Sequence, residues 1–192
     1  MTLEFRPLSD ALGAEVVGGD FTKSVTVDDV DKLKNAFLKH HLLCLRSAPL
    51  SAKALFQVAS YFGTPFSETN REKWVDEIPE ISRLESTYKT KDAKPKDLKL
   101  HRGSGWHTDH SFKEYPPKAT VLHAHEIPSQ AGQTRFCNTR KAYEDLPDST
   151  KRRLKGLMAV HSYDTERAPA RALARTAEEI AETPDVVHPL VR

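Results

Sequence analysis

Two residues that can bind a metal ion stand two positions apart near the middle of the chain. The segment Gly105-Trp-His-Thr-Asp109 contains His107 and Asp109, which in an extended strand would project from the same face. An imidazole nitrogen and a carboxylate oxygen can then bind one ion at adjacent positions. One further histidine would complete the facial triad of non-haem iron(II), which leaves positions open for oxygen chemistry. The spacing therefore makes His107 and Asp109 candidate ligands of a metal ion such as iron(II).

The spacing of the histidines is also compatible with simpler roles that involve no metal ion. The chain has nine histidines, so a His-x-Asp triplet can arise by chance, and the pair could make a structural hydrogen bond on a surface strand. His123 and His125 also alternate along one strand face, either as ligands or as ordinary sheet residues. His110 would point away from its neighbours in a regular strand, which assigns it to packing or to support of the site.

Further motifs surround the triplet in a particular order. They are Phe62-Gly-Thr-Pro65, Ser111-Phe112, Pro116-Pro117, Glu126-Ile-Pro128, Gly132-Gln-Thr134 and His188-Pro-Leu-Val-Arg192. With these motifs the chain resembles the TauD/TfdA family of iron(II)- and 2-oxoglutarate-dependent dioxygenases. Members carry F-G-x-P, W-H-x-D, S/T-F, a Pro-Pro step, an E-x-P turn, a glycine-preceded threonine and H-P-x-V-R in this order. The resemblance spans nearly the whole chain.

The resemblance implies roles for three residues. His107 and Asp109 would bind Fe(II), and Thr134 would hydrogen-bond a carboxylate of 2-oxoglutarate. The family's reaction consumes O2 and 2-oxoglutarate, releases succinate and CO2, and hydroxylates an unactivated carbon of the substrate. The protein orients the reactants and excludes water. Thr134 has an alternative interpretation as a β-favouring residue at the start of a strand.

The chain departs from the family pattern at its C-terminal end. In the family, the third metal ligand and the arginine that pairs with 2-oxoglutarate both follow the H-P-x-V-R segment, at which this sequence stops. His188 and Arg192 match that segment and fill neither role. We therefore expect residues 1–192 to form a single TauD/TfdA-like domain that is incomplete at its C-terminus. Its class would be α+β, a double-stranded β-helix (jelly roll) core with flanking helices, the last core strands missing.

The substrate is expected to be a small organic molecule, and an anionic one is favoured. Taurine-specific members of the family place an asparagine four residues before the first metal ligand, where this chain has Gly103. The neighbouring His101 and Arg102 could bind a sulfonate, sulfate ester or carboxylate by charge-assisted hydrogen bonds. The basic stretch from Arg83 to Arg102 is interpreted as a solvated surface loop or, alternatively, as a substrate lid.

Composition limits the partners and the compartment. The net charge of +2, from 29 basic and 27 acidic side chains, is too small to indicate a nucleic-acid or membrane partner. The two cysteines, Cys44 and Cys137, form no paired motif, which favours reduced thiols over a disulfide or a zinc site. The N-terminal segment has charges within its first six residues and no apolar run of signal-peptide or membrane-span length, so export is not expected. We expect a cytoplasmic enzyme whose partners are a small-molecule substrate and O2, with a homo-oligomer left open.

The helices and strands that must position these residues are predicted from the spacing of apolar residues and from residues that can cap helices. In the N-terminal part, Val30, Leu33 and Phe37 recur at helical spacing behind Thr26, which can act as an N-cap. The other predicted elements, in chain order, are a strand and turn over 3–20, a strand over 42–45, a helix capped by Ser51 and ended near Gly63, a hairpin of Ala119–Glu126 and Thr134–Asn138, and helices over 142–158 and 171–182.

Two other functional classes are considered beside the enzyme. One is a catalytically inactive fragment that keeps the partial fold as a binding or interaction module; a histidine and an arginine encoded beyond Arg192 would argue against it. The other is nucleic-acid binding through the lysine-rich loop. That function would need aromatic platforms or a recognition helix, which the sequence does not display.

The number of ligands in this chain leads to a prediction about metal affinity. A ferrous ion held by His107 and Asp109 alone lacks the chelation of a full triad, so the 192-residue chain should bind iron weakly. Anaerobic titration calorimetry with Fe(II) measures this affinity directly. A tight one-to-one site in the isolated chain would contradict the prediction.

Overall fold

The computed structural model describes residues 2–67, 74–75, 77–84, 105–127, 129, 133–163 and 176–192. Helices and strands are mixed along the chain, as the α+β class predicts. The elements are β1 (Glu4–Pro7), β2 (Ala14–Val17), α1 (Val27–His40), β3 (Leu43–Leu45), α2 (Ala52–Ser60), β4 (Trp74–Val75), β5 (Ile78–Ser82), α3 (Thr139–Glu144), α4 (Asp148–Leu154), β6 (Met158–His161), α5 (Ala177–Ala181) and β7 (Val186–Pro189).

The chain divides into two compact units. The first consists of Met1–Pro65, Lys118–Met158 and Pro189–Arg192, and the second of Phe66–Pro117 and Ala159–His188. That residues 1–192 make up one domain stays a prediction.

A three-stranded sheet organises the first unit. β1 pairs with β2 in antiparallel register, Glu4 opposite Val17, and β2 pairs with β3 in parallel register, Ala14 opposite Leu43. A parallel pair needs a crossover connection, and here α1 makes it. Along β2, Ala14 and Val16 are fully buried while their neighbours are half-buried, the period of two that a one-sided core produces. The sheet and its crossover helix therefore share one apolar core.

The crossover helix α1 begins and ends where its capping residues predict. The Thr26 hydroxyl accepts a hydrogen bond from the backbone N–H of Asp29, and the acidic first turn and basic last turn complement the helix dipole. His41 ends the helix in the left-handed conformation at φ 60°, with its N–H bonded to the Phe37 carbonyl. Leu33 is fully buried. The helix predicted behind Thr26 is confirmed.

The second helix, α2, packs on the same core. The Ser51 side chain caps it by accepting from the Ala54 N–H, as the sequence predicts. Val58 and Tyr61 are buried, and the Tyr61 hydroxyl lies 3.4 Å from the backbone nitrogen of Val25. The core cluster thus joins the sheet, both helices and the loop before α1: Leu3, Val16, Phe21, Leu33, Val58 and Tyr61.

One long predicted helix is wrong. Residues 142–158 form no continuous helix, because α3 ends at Glu144 and α4 begins only at Asp148. Pro147 lies between them; it has no backbone N–H to donate and disfavours a helical conformation at the residue before it. Met158 belongs to β6. The predicted helix over 171–182 is seen as α5, with a capping box between Thr176 and Glu179, and residues 171–175 lie outside the described part.

The predicted hairpin of Ala119–Glu126 and Thr134–Asn138 is also wrong for the described residues, which include no strand in either segment. Burial nevertheless alternates, since Ala119, Val121 and His123 are half-buried and the residues between them are exposed. An alternating pattern selects which side chains face inward, but a strand also needs a neighbour for its backbone hydrogen bonds. The first segment therefore keeps the alternating burial of a strand without strand hydrogen bonding.

The second unit contains the antiparallel pair β4 and β5, and β6 pairs with β7 in a separate two-stranded sheet. Among the helices in the described ranges, α1 is the longest at 14 residues, and none has the length and apolar composition of a bilayer-crossing segment.

Replacing Leu33 with alanine tests the core of the first unit. Leu33→Ala removes a fully buried side chain and leaves a cavity, so the free energy of unfolding should fall by about 2–5 kcal/mol. Leu38→Ala on the same helix is the matched control, because Leu38 is 73% exposed, and it should change stability by less than about 0.5 kcal/mol. Urea denaturation followed by circular dichroism gives both values. Equal losses would contradict the assigned core.

Candidate metal centre

His107 and Asp109 converge in the second unit. The Nε2 atom of His107 lies 3.3 Å from Oδ1 of Asp109. The predicted strand is absent here: the backbone is irregular over 106–108 and enters a turn at Asp109. The irregular backbone over 106–108 brings the two side chains together in place of the strand pleat. The sequence therefore anticipated the pairing but not the backbone that produces it.

The hydrogen bond on the other side of the His107 ring determines what Nε2 can do. Nδ1 lies 2.9 Å from the backbone carbonyl of Gly105, and a carbonyl only accepts, so Nδ1 carries the hydrogen. In the neutral imidazole, Nε2 then presents its lone pair to the Asp109 carboxylate. Two acceptor atoms that face each other at this distance are placed to bind one metal ion together.

The donor set fits a ferrous ion. Nitrogen from imidazole and oxygen from carboxylate are the donors of the two-histidine, one-carboxylate site. Bonds of about 2.1 Å at right angles would separate such donors by about 3 Å. The observed 3.3 Å is close to this value. The fixed Nδ1–H···O=C bond is also the usual way in which a metal-binding histidine is oriented.

The pair is open to water and incomplete by itself. The side chains of His107 and Asp109 are 58% and 43% exposed. Within the residues that the structure describes, no third histidine, cysteine or carboxylate joins them in a group able to hold a metal. This part of the chain therefore offers two ligands of one ion.

Aromatic rings support the turn that follows Asp109. The His110 ring contacts Phe66 at a centroid distance of 5.2 Å and Phe112 at 5.5 Å, and Phe112 stacks edge-on against Tyr163 at 4.6 Å. His110 has a φ of 51°, a left-handed conformation that few residues other than glycine adopt. Its side chain packs, which agrees with its assignment from sequence. The ring contacts hold a backbone conformation that the local sequence does not favour.

A second histidine reaches this turn from far along the chain. His188 in β7 is buried, and its Nε2 lies 3.0 Å from the backbone carbonyl of Lys113. Its ring also packs edge-on against His161 at 5.2 Å. Sequence reasoning placed His188 only in the closing motif and missed this contact. His188 and Lys113 are 75 positions apart, so no short sequence pattern predicts their contact.

Thr134 lies in the first unit, in a segment without regular secondary structure, and it is exposed. The anion-binding candidates His101 and Arg102, and most of the basic stretch before them, lie outside the described residues.

The alternative pair of histidines has a structural explanation. The His123 and His125 rings are 6.3 Å apart, and Nε2 of His123 accepts a hydrogen bond from the Leu50 N–H at 3.3 Å. One ring nitrogen of His123 is therefore engaged by backbone within the first unit. This contact favours a structural role for His123 over metal binding.

The chain is similar to one family of dioxygenases and to proteins related to it. The family model described as "Taurine catabolism dioxygenase TauD, TfdA family" matches residues 4–192. An alkylsulfatase of Acinetobacter baylyi is 29% identical over 161 residues, which cover 83% of this chain and 47% of the relative. An alpha-ketoglutarate-dependent sulfate ester dioxygenase of Pseudomonas putida is 24% identical and covers 100% of this chain and 62% of the relative. The chain thus spans about half the length of such relatives.

A solved structure supports the fold. The crystal structure of AAD-2 in complex with Mn(II) and N-oxalylglycine matches 100% of this chain and 64% of its own, with a TM-score of 0.69 and 22% sequence identity. This likeness confirms the α+β class with a jelly-roll core that the sequence predicts.

Proposed function

This chain belongs to the TauD/TfdA family, and from that membership we propose that the protein is an iron(II)- and 2-oxoglutarate-dependent dioxygenase. Its substrate is a small organic molecule, which it hydroxylates with release of succinate and CO2. The observation that carries the proposal is the approach of His107 Nε2 to Asp109 Oδ1 at 3.3 Å, inside the segment that resembles the family's W-H-x-D motif.

His107 and Asp109 are the proposed ligands of the iron. The hydrogen bond from Nδ1 of His107 to the Gly105 carbonyl holds the ring so that Nε2 faces the carboxylate. Bound iron together with 2-oxoglutarate supplies the O2-dependent oxidation, which no side chain can perform. The chain's own contribution is to present one nitrogen and one oxygen donor at adjacent positions and to leave the opposite side accessible.

Thr134 is the proposed contact of this chain with 2-oxoglutarate. Its side chain is exposed, so its hydroxyl is available to donate a hydrogen bond to a carboxylate of the cosubstrate. A hydrogen bond to a charged acceptor contributes about 1.5–3 kcal/mol, which suits a residue that binds and orients an anion.

The proposed substrates are organic anions, with sulfate esters first among them. The names of both relatives given above, an alkylsulfatase and a sulfate ester dioxygenase, refer to sulfate esters. In this chain His101 and Arg102 stand just before the metal-binding segment, where a guanidinium could form a charge-assisted pair with a sulfate, sulfonate or carboxylate.

A cytoplasmic location is part of the same proposal. Cys44 and Cys137 are both free thiols, and Cys137 is exposed. Exposed free thiols persist in a reducing compartment, which also favours the ferrous state of a non-haem iron.

The activity should depend on the two proposed ligands. With Fe(II) and a panel of alkyl sulfates, sulfonates and aryloxy acids, succinate release from 2-oxoglutarate should fall by more than about 100-fold in His107→Ala and in Asp109→Ala, because each removes a donor from the metal. His125→Ala is the control, since His125 is exposed and belongs to the alternative pair of histidines, and it should leave turnover unchanged if His107 and Asp109 are the ligands. Ligand variants that keep turnover within a few-fold would refute the proposed centre.

The role of Thr134 predicts a change in cosubstrate affinity. Thr134→Val keeps the shape of the side chain but removes the donor, so KM for 2-oxoglutarate should rise roughly 10-fold or more while the substrate KM stays constant. Thr134→Ser keeps the hydroxyl and should stay within about 3-fold of the parent. Steady-state kinetics with varied 2-oxoglutarate separates the two variants. Equal KM values for both would show that Thr134 makes no such contact.

A further inference from the structure

Two hydrogen bonds, one from the N–H and one to the carbonyl of Lys113, hold the backbone after Asp109. The Lys113 N–H donates to the His110 carbonyl at 3.0 Å and closes the turn. The Lys113 carbonyl, on the other side of the same residue, lies 3.0 Å from Nε2 of His188. A carbonyl only accepts, so His188 donates through an Nε2–H. The local hydrogen bond closes the turn, and the bond from His188 anchors it to a strand.

The anchor itself is rigid. His188 is 9% exposed and lies in β7, which pairs with β6. Its ring packs edge-on against the ring of His161, the last residue of β6, at 5.2 Å and 65°. A ring held by a strand and by a neighbouring ring loses little further freedom when it donates a hydrogen bond.

The anchored turn controls the direction of Asp109. Asp109 directly precedes His110, whose left-handed backbone at φ 51° costs about 1 kcal/mol relative to ordinary conformations. Such a conformation persists only where surrounding contacts impose it. Released from Lys113, the turn would relax, and the Asp109 carboxylate would leave its place beside His107 Nε2. Metal sites tolerate little displacement, because ligand geometry within about 0.5 Å determines binding.

We propose that His188 is a positioning residue for the metal centre: its Nε2–H holds the Lys113 carbonyl and thereby keeps Asp109 directed at His107. This inference rests on the proposed function, because it assigns His188 a role toward the ion that His107 and Asp109 would bind. His188 does not contact the ion, since its Nε2 is engaged by the backbone.

Three variants separate this role from ordinary packing. His188→Leu fills the buried site but removes the donor. His188→Gln restores a donor, because the glutamine amide nitrogen occupies nearly the place of Nε2. His161→Leu is the matched control, since it removes the ring contact on His188 but leaves the donor to Lys113 in place.

The readout is Mn(II) affinity of the 192-residue chain, measured by the electron paramagnetic resonance signal of free Mn(II), beside the thermal midpoint of each variant. We expect weak binding by the parent chain that His107→Ala abolishes. His188→Leu should weaken it about 10-fold or more. His188→Gln should stay within about 3-fold of the parent, and His161→Leu should lower the thermal midpoint without changing Mn(II) affinity.

Each other outcome has a definite meaning. If His107→Ala abolishes Mn(II) binding, the metal centre is supported. The positioning role of His188 is nevertheless overturned if His188→Leu binds Mn(II) as tightly as the parent, or if His161→Leu weakens binding as much as His188→Leu does. Mn(II) binding that is absent in the parent, or indifferent to His107→Ala, overturns the centre and with it this inference. If His188→Leu fails to fold, His188→Gln decides: parent-like affinity supports the role, and a loss in the folded variant overturns it.

Discussion

The candidate centre depends on the tautomer of one histidine. Because the Gly105 carbonyl takes the hydrogen of His107 Nδ1, the lone pair of Nε2 faces the Asp109 carboxylate at 3.3 Å. Two acceptor atoms in this arrangement are placed to bind one metal ion. The ring contacts and hydrogen bonds after Asp109 hold the adjoining backbone.

That conformation is maintained by contacts from outside the motif. The His110 ring lies against Phe66 and Phe112, and His188 donates to the Lys113 carbonyl from a strand 75 positions away. A left-handed residue in the middle of a binding motif is a local strain that surrounding contacts must offset. Membership of the TauD/TfdA family accounts for the residue types in the motif, and the irregular backbone over 106–108 accounts for the approach of His107 to Asp109.

The first unit shows where local sequence signals suffice. Thr26 and Ser51 cap the helices that they are predicted to cap, and the buried face of α1 centres on Leu33. Capping needs only residues within one turn of each other, so short-range pattern decides it. Where the outcome depends on a partner, the pattern fails: the alternating segment from Ala119 to Glu126 forms no strand in the described structure.

The sequence by itself determined the family, the α+β class, the capped helices and the pairing of His107 with Asp109. Each of these depends on residue types that stand close together in the sequence. The tertiary structure decided that the two ligands meet on irregular backbone instead of a strand, that the His107 hydrogen is on Nδ1, and that His188 reaches Lys113. The first two features depend on local backbone angles and the third on atoms 75 positions apart, and periodicity carries no information about either.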